Sequence, residues 1–401
     1  MINKILKIIK YLIYKVHFFV FKAPPGEFTK RLIKNLFFAF FGVGGATLIT
    51  FGFNVLAVRY LGPAEFGKWN LIGSIAQFFI ILPLWGLATA CLRYLGVERK
   101  NKGLIIGTSF RVVVLLSLLF FPLYFILAPV LQNILKIDTP LYSFALLYGL
   151  IFVFFHLFQS FFQGLEKFKK LSFLWIASAF IFVGIVCFYL FYLDNFSFKV
   201  LFWGNAWRLG FIIFVGILIF RKFLLKFSRQ AFNKVFRYGG FSMLSAFAGF
   251  FSLGTIDNLM INYYLGPSAV GLYAAYYIVF SIFIGRVLNT FSQVFLPMAS
   301  HSKDVKLLFR RSLRFIKKIG ILILGGNFCL IWFLFKLYGK AFSFDWRLAS
   351  LMALSVTLYC FLMILGNIIV STGIRGARIG TIFAFSSATL NVVYQQLSGL
   401  I

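Results

Sequence analysis

The chain has 401 residues, of which 61% are hydrophobic and only 12% charged, against roughly 45–50% and about 25% in an average soluble domain. That balance excludes a soluble globular protein and places the chain in a lipid bilayer. The net charge of +31, from 40 Lys and Arg against 9 Asp and Glu, would suit nucleic-acid binding in a soluble protein. Here the basic residues fall in short stretches between apolar runs, where membrane topology and anionic lipids account for them, and no nucleic-acid partner is expected.

Residues 1–35 form a basic N-terminal segment. Lys4, Lys7, Lys10, Lys15 and Lys22 alternate with Ile, Leu, Phe and Tyr, the pattern of an amphipathic helix lying on a membrane surface. Ala23-Pro24-Pro25-Gly26 interrupts it. Eleven apolar segments follow, at about 36–58, 70–92, 111–131, 141–163, 171–193, 199–220, 239–261, 270–295, 318–338, 348–370 and 379–400. Each approaches the roughly 20 residues that a helix needs to cross about 30 Å of hydrocarbon. The two-residue alternation of barrel strands is absent. A basic linker spans 221–238. It separates an expected six-helix bundle at 36–220 from a second bundle at 239–401.

Counted on alternate sides, 31 Lys and Arg fall on one side and 7 on the other, with Arg208 and Arg286 inside segments. The bias predicts a cytoplasmic N-terminus. A repeat supports the two-bundle division. Tyr60-Leu61-Gly62-Pro63-Ala64-Glu65-Phe66-Gly67 returns 204 residues later as Tyr264-Leu265-Gly266-Pro267-Ser268-Ala269-Val270-Gly271. Asn54 aligns with Asn258, and Trp69 with Tyr273, at the same offset. Six segments separate the copies, so both face one side and the halves run parallel. The expected fold is an all-α integral membrane protein. Two parallel-repeat bundles, with 6 + 5 or 6 + 6 spans, form a V around a central cavity. Two bundles of six predict twelve spans where eleven are read.

The run Phe53-Asn54-Val55-Leu56-Ala57-Val58-Arg59-Tyr60-Leu61-Gly62-Pro63-Ala64-Glu65-Phe66-Gly67-Lys68-Trp69 resembles the start of Wzx-type polysaccharide flippases. These belong to the superfamily that also holds multidrug and toxin extruders and the lipid II flippase. Gly86-Leu87-Ala88-Thr89-Ala90-Cys91-Leu92-Arg93-Tyr94 is similar to the end of the family's second helix, and Phe162-Gln163-Gly164-Leu165-Glu166-Lys167-Phe168 to the loop after its fourth. Ile256-Asp257-Asn258-Leu259-Met260-Ile261 with the second turn resembles its seventh helix. The resemblance spans about 36–396. It implies a transporter that moves an undecaprenyl-pyrophosphate-linked oligosaccharide to the periplasmic leaflet of the bacterial inner membrane for O-antigen or capsule synthesis. Anionic lipids, and a polysaccharide polymerase and chain-length proteins, are the partners it implies, with the chain itself a monomer.

Such a cargo carries two phosphates, which need cations within a water-filled cleft. Guanidinium groups match phosphate oxygens best, so Arg93, Arg208 and Arg286 are the binding candidates. Arg93 also reads as a topological flank, and Arg208, after Trp203 and Trp207, as an interfacial residue. Asp257 is the one acid well inside a segment. It reads either as a proton or ion coupling site or as half of a structural pair. Asn54 and Asn258 suit sugar hydroxyls or, more ordinarily, bridges between helices. Gly62, Pro63, Gly266 and Pro267 read as tight turns that set loop shape. Gln77 and Asn289 are weaker polar candidates, and Pro83 and Pro297 suit helix kinks. Cys91, Cys187, Cys329, Cys360, His17, His156 and His301 show no metal spacing, so neither metal nor cofactor is expected.

Two other readings compete. A drug or small-cation exporter would favour acids over arginines in its cavity. A membrane polymerase, ligase or glycosyltransferase needs acids close together on the outer side, where only the scattered Glu65, Asp138, Asp194 and Asp345 occur.

Overall fold

A computed structural model describes residues 27–194, 196–252, 255–278, 305–339 and 342–371, with seven further positions between 379 and 389. Arg286, Asn289, Pro297, residues 1–26 and most of the eleventh segment lie outside the described residues. Helices account for nearly all of what is described, and no strand occurs among these residues. Backbone polar groups have no water to bond in hydrocarbon, so each segment must satisfy its own N–H and C=O groups.

Helix α1 covers Glu27–Phe79 and breaks at Gly62, whose φ of 71° and ψ of 174° are not helical. A straight helix of 53 residues would reach about 80 Å, more than twice a bilayer core, so the break makes two spans of one run. Short α2 (Ile81–Leu84) and α3 (Leu87–Val97) complete the second crossing. Next come α4 (Lys102–Ile126), α5 (Ala128–Leu135), α6 (Thr139–Gly164), α7 (Phe168–Cys187) and α8 (Lys199–Leu224). The second half holds α9 (Arg229–Ser252), α10 (Thr255–Leu265), α11 (Pro267–Ile278), α12 (Val305–Tyr338) and α13 (Trp346–Ser371). Seven helical stretches among the described residues are long and apolar enough to cross a membrane. The basic N-terminal segment differs from its expected bounds, because residues 27–35 already belong to α1.

The first half is filled by interlocked rings. Phe158, Phe161 and Phe162 of α6 surround Phe220 of α8 at centroid distances of 6.5, 5.6 and 5.1 Å. Tyr124 of α4 lies 4.7 Å from Phe79, and its carbonyl accepts a 2.6 Å hydrogen bond from the Tyr142 hydroxyl. Apolar side chains gain nothing from leaving water here, so dispersion and close approach hold the helices together. Glycine makes that approach possible. A Cβ on Gly107 would strike the carbonyls of Phe223 and Lys226, and one on Gly164 would press on the Cys91 carbonyl.

The basic linker is shorter than the expected 221–238. Only 225–228 lie outside helices, because α8 runs to Leu224 and α9 starts at Arg229. This end of the molecule, the basic end, is clamped to the first half. The Trp85 and Phe236 rings stack 4.9 Å apart at 14°. The Arg93 guanidinium lies 5.1 Å from the Tyr238 ring, and Lys234 pairs with Glu98 at 2.8 Å. The Ser228 amide donates to Thr108 Oγ1 at 3.1 Å, and Arg111 donates to the Leu225 carbonyl. Gly86 and Gly239 bring their backbones into direct contact within this clamp.

The opposite end carries the repeated turns. A second apolar cluster there joins Ala57, Val58, Leu61 and Phe66 of α1 to Ala274, Ala275 and Tyr276 of α11 and to Ile331, Leu334, Phe335 and Tyr338 of α12. The Tyr276 ring lies 4.2 Å from Phe335. Its hydroxyl donates to the Ser343 carbonyl at 3.2 Å and accepts from the Asp345 amide at 2.7 Å. Helices α12 and α13 pair with each other through Asn327 and Thr357 at 3.1 Å and through Gly320 against Phe361.

Two outcomes test this packing. Gly107→Ala is expected to lower stability in detergent by about 1–3 kcal/mol through overpacking against two carbonyls. Gly44→Ala, with open space at its Cβ position, is expected to stay within about 0.5 kcal/mol. Thermal unfolding of both variants checks this. The Lys234 ammonium holds the Glu98 carboxyl below its ordinary pKa of 4.5, so the ion pair stabilises the fold above that pH. Its contribution is lost as pH falls through the lowered value. Glu98→Gln is therefore expected to show a smaller loss of melting temperature than the native chain on acidification from neutral pH.

Candidate functional site

Helix α10 runs between the halves, and its neighbouring residues Asp257 and Asn258 serve different sides. Thr255, Asn258 and Asn262 share one face, at the spacing of helix neighbours, and all three meet the first half. The Asn258 amide donates to Ser74 Oγ at 3.0 Å. Thr255 Oγ1 donates to Gln77 Oε1 at 3.4 Å. Asn262 donates to the carbonyls of Leu135 and Lys136, both at 3.3 Å. Asn258 thus bridges two helices, and its own carbonyl oxygen is buried without a hydrogen-bond partner. Asp257 turns to the second half, where the Tyr273 hydroxyl donates to Oδ2 at 2.6 Å. Tyr277 stacks on Tyr273 at 5.7 Å, building an aromatic wall beside the carboxylate.

The repeat relates these contacts to the first half and shows where the symmetry ends. The residues that correspond to Asp257 and Tyr273 are Phe53 and Trp69, so the charged pair becomes an apolar one. Ser74 corresponds to Ile278. Asn54, half-buried on α1, accordingly lacks the partner that Asn258 has.

Arg208 lies about 14 Å along α8, deep in the first half, and is 8% exposed. Its guanidinium carbon sits 5.8 Å from the ring centroids of both Trp175 and Phe182 on α7. Among the described residues the ion pairs are Lys68–Glu65 and Lys234–Glu98, so no carboxylate neutralises Arg208. Its Nε and the Trp175 indole N–H are both buried donors without an acceptor. The His156 ring lies nearby in the same aromatic wall, 5.1 Å from Phe152 and 5.3 Å from Phe155, while Phe155 meets Trp175 at 5.5 Å. Arg93 is elsewhere, exposed in the basic-end clamp. The arginines therefore do not converge within the described residues, and Arg286 lies outside them.

The turn residues take up special backbone geometry. Gly62 and Gly266 have φ of 71° and 82°, where glycine alone is unstrained. Pro63 and Pro267 begin the next helical stretches, where the missing N–H of proline costs nothing. Glu65 accepts from Lys68 at 2.5 Å and from the Phe198 amide at 2.8 Å. Sequence reasoning passed over Trp175, Ser74 and Tyr273 as functional neighbours. The alignment of Tyr273 with Trp69 was the signal available for one of them.

Residues 32–303 match the family described as polysaccharide biosynthesis protein. No match is found among curated proteins. The chain is similar to an outward-facing multidrug-resistance MATE transporter of the MOP superfamily, with TM-score 0.57, 12% identity and coverage of 93% of this chain and 96% of that one. It is equally similar to an inward-facing one, with TM-score 0.56, 13% identity and 90% and 98% coverage. A MOP-superfamily transporter from Pyrococcus furiosus, described as having a binding pocket of reverse polarity, gives 0.54 at 14% identity, with 93% and 96% coverage. The family match covers more than half of the chain, and the all-helical, two-bundle architecture agrees with these transporter structures. The chain belongs to the polysaccharide biosynthesis protein family and has the fold of MOP-superfamily transporters.

Proposed function

We propose that this protein flips an undecaprenyl-pyrophosphate-linked oligosaccharide from the cytoplasmic to the periplasmic leaflet by alternating access, and is not an enzyme. The observation that carries the reading is Arg208. An unpaired guanidinium within a span costs about 2.5–3.5 kcal/mol on insertion scales, and an apolar residue in its place would avoid that cost. An anionic cargo offsets it. The family match to polysaccharide biosynthesis supports a cargo of that class. The excess of basic residues at one end supports an orientation with that end and the N-terminus in the cytoplasm and the repeated turns outside. Asp257, with its tyrosine donor, is the coupling-ion candidate. Residues 36–220 and 239–401 act as the two rocking bodies. The chain works as a monomer in the bacterial inner membrane, with anionic lipids at its basic end and the polymerase and chain-length proteins of the pathway as partners.

A drug-export reading draws on Asp257, since a carboxylate at the seam suits a cation. Deleting the gene separates the two. Lipid-linked repeat units accumulating in the cytoplasmic leaflet, with surface polysaccharide lost, is the expected result. Normal polysaccharide with raised drug sensitivity would overturn the flippase reading in favour of export.

Arg208→Met is expected to cut flipping about tenfold or more, the loss of a charged hydrogen bond, while leaving the protein in the membrane. Arg208→Lys should recover part of that, because ammonium keeps the charge without the planar fork. Full activity in Arg208→Met with a higher melting temperature would make Arg208 a structural residue only. Asp257→Asn is expected to lower surface polysaccharide, and an unchanged level would remove its coupling role.

A further inference from the structure

We propose that the duplicated turn is a self-complementary clasp that closes the turn end, and that Gly67 and Gly271 set how often it is closed. The geometry is reciprocal. A Cβ built on Gly67 would strike the carbonyl oxygen of Pro267, and a Cβ built on Gly271 would strike the carbonyl oxygen of Pro63. Gly67 and Gly271 are equivalent in the repeat, and so are Pro63 and Pro267. Each glycine therefore rests on the proline that opens the other's helix, about a local pseudo-twofold axis.

Three further observations make this contact a gate. First, it joins the two halves of the chain through close backbone approach and apolar packing. No hydrogen bond or ion pair runs between residues 60–67 and 264–271, all of which are described. Such a contact parts without stranding a polar group in hydrocarbon. Second, a glycine of positive φ stands directly before each proline, a position that absorbs backbone rotation at little cost. Third, the residues flanking the contact, Leu61, Phe66, Val270, Ala274 and Ala275, are buried, so the closed clasp seals that end. The repeat is thereby explained as an interface with itself. Alanine at either glycine would hold the turns apart while leaving each turn's own shape intact. The inference needs a transporter whose ends open in alternation and does not depend on which cargo is carried.

Spin labels at Ala64→Cys and Ser268→Cys, both exposed positions, report the clasp in the purified protein in nanodiscs, with Cys91, Cys187, Cys329 and Cys360 replaced by Ala. Pulsed electron–electron resonance on the native glycines is expected to give a short main distance. Gly67→Ala and Gly271→Ala are each expected to shift the population towards longer distances by about 5- to 150-fold, as overpacking of one methyl implies. Gly73→Ala, on the same helix with open space at its Cβ position, should leave the distribution unchanged. Unchanged distances in both clasp variants, or the same shift in Gly73→Ala, would overturn the proposal.

A second measurement decides the matter if the glycine variants fail to fold. The two cysteines are joined by a cleavable bis-maleimide bridge, and Gln77→Cys, exposed on α1, is probed with a membrane-impermeant thiol reagent. The bridged protein is expected to react only from the basic end, and cleavage of the bridge to restore reaction from the turn end. Reaction from the turn end with the bridge in place would overturn the proposal. Neither readout involves polysaccharide, so the clasp and the cargo assignment fail or succeed separately.

Discussion

Close backbone approach at glycine governs how this protein holds together. In a bilayer no water is released when apolar side chains meet, so helices associate by dispersion, which decays over fractions of an ångström. The glycine contacts sit where separate parts of the chain must touch. Gly67 and Gly271 join the repeated turns, Gly86 and Gly239 join the basic-end clamp, and Gly107 seats α4 on the chain after α8. Between them, the ring contacts of Phe, Tyr and Trp fill the space that the backbones leave. Removing a glycine changes the distance between two helices, and every side chain between them then loses contact.

The chain is symmetric in its backbone and asymmetric in its chemistry. The turns, the prolines and the glycines repeat, but the polar groups that surround them do not. Glu65 ties the first turn to the start of α8 through the Phe198 amide, whereas its counterpart is Ala269. The carboxylate–tyrosine pair of the second half has Phe53 and Trp69 as its repeat counterparts in the first, while the buried arginine belongs to the first half. Duplication supplied a backbone scaffold shared by both halves, and divergence placed the cation in one half and the anion at the seam.

Helix α10 connects these two aspects. One of its faces is bonded to the first half through Thr255, Asn258 and Asn262, and its Asp257 carboxylate is bonded to the second. Any motion of α11 to α13 relative to α1 is therefore felt at Asp257 and Tyr273, which lie ten residues before Pro267 and two after Gly271. The clamp at the basic end, by contrast, combines stacked rings, an ion pair and backbone contact, and it anchors α9 firmly to α3 and α4.

Sequence by itself determined the membrane class, the all-helical architecture, the order of the segments and the duplication. Each of these depends on local composition: apolar runs long enough for hydrocarbon, basic residues between them, and a phrase that occurs twice. The break at Gly62 and the turn at Gly266 were legible for the same reason, since Gly-Pro encodes backbone geometry within two residues. Tertiary structure alone decided what those glycines touch. Nothing in the phrase Tyr-Leu-Gly-Pro says that one copy lies on the other, because the contact joins residues 200 and 208 positions apart through backbone atoms. It also decided that Arg93 stacks on Tyr238 in a clamp while Arg208 lies buried beside the Trp175 and Phe182 rings without a counter-ion. A charge's partners depend on which helices pack beside it, and helices that are apolar all round carry no pattern that names their neighbours.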